Sequence, residues 1–172
     1  MTNTWLPPVE YVATLPRATA YACLYFTDTG GRPFQMRATY HSGAWQWPGG
    51  NMDPGETPWE TAVRECHEET GIVFTGRPRL LGTHFTTDRG DDWPANHIGF
   101  VFDGGELTDE QIAAVVLDPG EHSEYALRTL EEWEREMDPA EFGRLAAVDR
   151  ARRTGTPVYL EAGPGSADRA RR

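Results

Sequence analysis

The stretch RECHEETG, residues 64–71, sets Glu65, Glu68 and Glu69 within five positions, just ahead of Gly71. On a helix advancing roughly 100° per residue, the spacing i, i+3, i+4 turns these side chains to one flank, where their carboxylates converge. Like charges so placed cost about 0.2–0.5 kcal/mol per pair. Negative charge at a helix C-terminus opposes the macrodipole by a further ~0.3–1 kcal/mol. A solvated helix tolerates that sum, so the three glutamates alone leave an acidic surface and a cation site level with each other. The second has a definite chemistry. Hard divalent cations take oxygen ligands, and Mg²⁺ typically uses a few carboxylates, substrate phosphates and waters.

The helix that must carry these groups is marked at both ends. Thr57-Pro58-Trp59-Glu60 reads as a capping box with proline at the first helical position, and Gly71 as the residue past the C-terminus. Trp59, Ala62, Val63 and Cys66 share an apolar arc that should meet a sheet, with Cys66 as a small hydrophobe rather than a reactive thiol. Upstream, Trp47-Pro48-Gly49-Gly50 is a sharp approach with little side chain, where backbone can come close to an ion or ligand. A backbone carbonyl near Gly49 with the three helix carboxylates would complete a Mg²⁺ site and relieve the repulsion.

Gly50, then Glu56, then Arg64-Glu65-Cys66-His67-Glu68-Glu69-Thr70-Gly71-Ile72 resembles the Nudix box, G-x5-E-x7-R-E-U-x-E-E-x-G-U, where U is a bulky aliphatic. The one departure is Cys66 in the first U slot. The box covers residues 50–72, and weaker likeness in strand order and in EHSEYALRTLEEW extends over most of 17–160. The resemblance implies an α/β/α sandwich around a mixed sheet. It also implies Mg²⁺-dependent hydrolysis of a nucleoside diphosphate linked to another moiety, with Mn²⁺ as a possible substitute. Position by position, Glu65 and Glu69 resemble the principal metal ligands, joined by Gly49. Glu68 resembles a further ligand, or the group that orients or deprotonates water; Glu65 could also serve as base. Arg64 and Glu56 resemble an ion pair holding the box loop to the helix. Relatives often add a carboxylate from beyond the sheet, for which Glu121 and Glu124 are available, and Glu124 is the one taken as a metal ligand.

Substrate contacts are less marked. Arg37, on the strand before the box, could meet a phosphate. Trp45 and Trp47 point the same way on an extended chain and could stack on a base, with core packing expected for one of them. His84, Phe85 and His97 fall on strands that line the cleft in the family. Arg89-Gly90-Asp91-Asp92-Trp93 reads as a lid or a plain connection. The stretch HFTTDRG after the box lacks the proline of ADP-ribose hydrolases and the signatures for dinucleoside polyphosphates, NADH or coenzyme A. Nucleoside triphosphates, nucleotide sugars and other specialised diphosphates stay open.

The rest of the chain fits one α/β domain. ATAYACLYFTD and PFQMRATY, joined at Thr29-Gly30-Gly31, suggest a hairpin. LLGTHFTTD, HIGFVFDGG, EYALRT and PVYLE read as strands. Helix starts are marked at Thr129 with Glu132 and at Asp138-Pro139, with TDEQIAAVV a further short helix. The expected organisation is an arm at 1–16, the catalytic domain at 17–160 and a flexible tail at 161–172. At 172 residues the chain suits a single domain. A net charge of −11 argues against a nucleic-acid polymer as partner and leaves small anionic ligands open once a cation is bound. All sixteen basic residues are arginine, which excludes lysine chemistry. No apolar run reaches the ~20 residues a bilayer demands. With two unpaired-looking cysteines and no leader-like opening, a cytoplasmic protein is expected, a homodimer being left open. Two rival readings can be weighed. A Nudix-fold sensor that binds without cleaving would tolerate a degraded box, whereas this one keeps every glutamate. A calcium module would need the alternating loop ligands of an EF-hand, which are missing.

Overall fold

The computed structural model describes residues 5–40, 43–90 and 93–162. Asp91 and Asp92 of the expected lid and residues 163–172 of the expected tail lie outside that range. The elements run α1 (Pro8–Ala13), β1 (Ala18–Asp28), β2 (Phe34–Ala38), β3 (Trp45–Gln46), β4 (Gly49–Asn51), α2 (Pro58–Thr70) and β5 (Leu80–Thr86). They continue as β6 (Asn96–Leu107), α3 (Asp109–Ala113), β7 (His122–Leu127), α4 (Leu130–Glu136), α5 (Pro139–Thr154) and β8 (Val158–Ala162).

A mixed sheet, β4-β1-β6-β5-β8, forms the centre, with β1 parallel to β6, β5 parallel to β8, and the other pairs antiparallel. Because side chains alternate along a strand, β1 feeds two cores. Ala22, Leu24 and Phe26 pack with Ala62 and Cys66 of α2. Cys23 and Tyr25 pack with Leu145, Val148 and Ala151 of α5, and with Trp133 and Met137. Burial of each large side chain contributes about 1.5–3 kcal/mol, so β1, covered on both faces, fixes the layers. The result is the expected α/β/α sandwich.

The expected hairpin is not formed. Both edges of β1 are occupied, by β4 and β6, so β2 cannot join it beyond the single bridge Thr27–Pro33. It pairs instead in a second antiparallel sheet, β3-β2-β7. The connecting turn is organised by the Asp28 carboxylate, which accepts from the backbone amides of Gly30 and Arg32 at 3.0 and 2.8 Å. At the chain's start, the arm contains α1, none of whose residues is buried. At its end β8 runs through Glu161 and Ala162, paired with Phe85 and Thr86, two residues into the segment expected to be a tail.

Candidate active site

Helix α2 begins and ends as its sequence requires. The Thr57 side chain accepts from the Glu60 amide, Glu60 answers to the Thr57 amide, and Gly71 closes the helix at φ 73°. Arg64 then gathers the acids around it. Its guanidinium donates to Glu56 at 2.7 and 2.9 Å, to Glu65 at 2.9 Å, to Glu68 at 3.0 Å and to the Asn51 carbonyl at 3.3 Å. This joins the loop before the helix to the acidic flank. Hydrogen bonds from Arg64 hold the Glu56 carboxyl down to about 2.

The three box glutamates occupy different environments. Glu68 is largely exposed, its side chain tethered to Arg64. Glu65 is mostly covered and rests on Gly50, where an added Cβ would lie 2.5 Å from its carboxylate. Gly50 is thus a cradle that any side chain would fill. Glu69 is 3% exposed, and its Oε2 accepts from the Gly49 amide at 2.7 Å. Gly49 is itself wedged on β1, since a Cβ there would sit 2.3 Å from the Ala22 carbonyl oxygen. Burial pushes the Glu69 carboxyl up to about 9, against the Gly49 hydrogen bond and reinforced by the charges of Glu65 and Glu121.

Glu121 reaches Glu69 because the loop before β7 docks on the end of α2. The amides of Val116 and Asp118 donate to the Thr70 and Glu69 carbonyls, capping groups a helix leaves unpaired. One ligand atom each from Glu69, Glu121 and His122 lies within 4.8 Å of the others. Two carboxylate oxygens and an imidazole nitrogen packed this closely, one carboxyl held above its ordinary range by burial, could hold a divalent cation in place of the proton on Glu69.

The structure does not bring Glu124 into this group. It pairs with Arg37 at 3.1 Å across the β2–β7 ladder, the two charges satisfying each other at the surface. That contact places both the expected fourth carboxylate and the expected phosphate arginine in one exposed ion pair. Trp45 and Trp47 are also placed differently from the base-stacking expectation. They are 4% and 5% exposed, packed edge-on against Trp133 and Tyr25, with Arg128 and Arg144 over their outer faces. Neither indole leaves a face open for a base.

His84 lies on the α5 side of the sheet. Gly99, between it and Tyr21, carries no side chain, so the Tyr21 ring crosses β6 and its hydroxyl meets His84 Nδ1 at 3.2 Å. Burial, with smaller contributions from Arg144 and His97, holds the His84 ring down to about 4 and hence neutral. Phe85, its strand neighbour, alternates to the opposite face. His97 stacks on Tyr21 at 4.7 Å, and Trp93 of the expected lid meets His97 edge-on. Beside this group, Trp47 Nε1 and Arg144 Nε are buried donors without hydrogen-bond partners among the described residues. Sequence reasoning named neither Arg144 nor His122 as a site residue. Arg144 sits in an ordinary helix pattern, and only the helix docking turns it inward.

Fold and site together define an α/β/α sandwich with an acidic helix beneath a glycine loop. Comparison with known proteins agrees: the NUDIX domain matches residues 16–148. The chain belongs to the NUDIX family. Over 156 residues it is 30% identical to a putative 8-oxo-dGTP diphosphatase 3 of Mycobacterium tuberculosis, covering 77% of this chain and 68% of that one. A 30-residue stretch is 63% identical to an RNA pyrophosphohydrolase of Erythrobacter litoralis, a match spanning 17% of this chain and 18% of that protein. Among solved structures, a MutT protein of Methanosarcina mazei Go1 superposes with a TM-score of 0.63 at 28% identity, covering 81% of this chain and 96% of that one. No helix among the described residues is long and apolar enough to cross a membrane.

Proposed function

We propose that this chain is a divalent-metal-dependent pyrophosphohydrolase acting on a small nucleoside diphosphate linked to a further group. The observation that carries the reading is buried Glu69, held by the Gly49 amide and crowded by Glu65 and Glu121. Glu65, Glu69 and Glu121 would hold the ion, with Gly49 beside them. Bound there, a divalent cation polarises the phosphoanhydride and lowers the pKa of water. Glu68 sits outermost on the same flank and is the group placed to orient or deprotonate the attacking water. Arg64, clamped between Glu56 and Glu65, fixes the angle at which the loop meets the helix. On the other face, Trp47 Nε1 and Arg144 Nε offer donors to the group attached to the diphosphate.

The test is a product-release assay over nucleoside triphosphates, 8-oxo-dGTP, RNA bearing a 5′-triphosphate, dinucleoside polyphosphates and nucleotide sugars, with Mg²⁺, Mn²⁺ or chelator. Metal-dependent release of phosphate, pyrophosphate or nucleoside monophosphate, lost in Glu69→Gln, is expected. Tight binding across the panel with no product from any member would instead make the chain a nucleotide-binding regulator.

A further inference from the structure

His122 is the one imidazole among the residues grouped at Glu69, and its surroundings are unlike those of a packed core histidine. It is 1% exposed, and its Nδ1 has no hydrogen-bond partner among the described residues. Its Nε2 lies 2.8 Å from the amide nitrogen of Gln46. An amide nitrogen only donates, so Nε2 carries the ring's lone pair and the proton rests on Nδ1. The same Nε2 faces Glu69 Oε1 at 3.7 Å, too far for a hydrogen bond. The Nε2 lone pair and the Glu69 carboxyl thus face each other without a hydrogen bond between them, and the Glu121 carboxylate completes the triangle. Two donor atoms each about 2.0–2.2 Å from one cation can stand as far apart as Nε2 and Oε1 do here.

We infer that His122 is a nitrogen ligand of the cation site, so that Glu69, Glu121 and His122 form a mixed carboxylate–imidazole centre favouring a first-row transition ion over Mg²⁺. The inference rests on reading Glu69 as a cation ligand and adds to it the class of ion. Mg²⁺ prefers oxygen donors throughout, whereas imidazole is a good ligand for the transition ions. Gln46 is the residue that yields, its amide leaving the Nε2 lone pair as the ion enters. The backbone amide of His122, bonded to the Asp118 carbonyl at 2.9 Å, keeps the ring at the end of α2.

The experiment uses the full chain, stripped with chelator and loaded with Mn²⁺ alone. Pulsed EPR of the Mn²⁺ form is expected to show nitrogen coupling that changes from ¹⁴N to ¹⁵N when only the histidines are isotopically labelled. In His122→Gln the coupling disappears, and the Mg²⁺ concentration needed to displace half the Mn²⁺ falls at least about tenfold. The labelled wild-type protein answers the question even where the variant fails to fold. Mn²⁺ bound without histidine coupling overturns the inference and leaves the hydrolase reading standing. Failure of the stripped protein to bind Mn²⁺, Co²⁺ or Mg²⁺ overturns both.

Discussion

The backbone amide of Gly49 donates to Glu69 Oε2 at 2.7 Å, joining the glycine loop to the last turn of α2. Through this bond, the strand edge that leads into the box and the helix that ends it act as one unit. The partner is a carboxylate buried well above its ordinary range, so the bond stabilises a group that burial otherwise penalises.

A carboxyl raised from 4.5 to about 9 keeps its proton in the folded state while the unfolded chain loses it. Metal-free stability therefore falls as pH rises across that window, and a divalent cation restores it. Glu69→Gln should remove this dependence and raise the metal-free melting temperature at pH 8, while turnover drops by at least about a hundredfold. Calorimetry at pH 6 and pH 8, with chelator and with Mg²⁺, checks the first part, and the release assay the second.

Gly50→Ala puts a methyl where the Glu65 carboxylate lies. The carboxylate must move, so the expected result is weaker cation affinity with the fold kept. Isothermal titration with Mg²⁺ or Mn²⁺ measures it, and an unchanged affinity would show that Glu65 does not need its place against the loop.

Arg64→Gln leaves Glu56, Glu65 and Glu68 without their shared cation. Charge-assisted bonds of this kind contribute about 1.5–3 kcal/mol each when well formed, and less where water screens them. A net loss of about 1–3 kcal/mol is expected. It should appear as a lower denaturant midpoint with an unchanged slope.

The His84 ring is held down from its ordinary 6.5 to about 4. A depressed histidine gives stability that is complete above the unfolded value and is lost as pH falls toward the folded one. Melting temperature should therefore decline between pH 6.5 and pH 4, and decline less in His84→Gln. A parallel decline in both proteins would locate the acid sensitivity elsewhere.

Cys23 and Cys66 are both buried free thiols, pushed up to about 12 chiefly by burial. Since the thiolate is the reacting form, thiol-specific reagents should label neither in the native protein and both after denaturation. Rapid native labelling of Cys66 would contradict its place in the core beneath α2.

Local chemistry made much of this molecule readable in the sequence. The capping box at Thr57, the left-handed Gly71 and the spacing of Glu65, Glu68 and Glu69 all depend on residues a turn or a loop apart, and the Arg64–Glu56 pair followed from the resemblance to the Nudix box. Their physics acts over those distances, and β1 was legible for the same reason, as an unbroken run of strand-forming residues. What the chain could not announce was which distant segments would meet. β2 left its neighbour because both edges of β1 were taken. Glu121 rather than Glu124 reached Glu69 because loop amides capped the end of α2. Both tryptophans went inward, and Arg144 and His122 turned toward the centre only when α5 and β7 docked. Hydrogen-bond caps and carboxylate spacing are written in sequence, whereas strand partnership and burial are settled by competition among segments for the same edge and the same core.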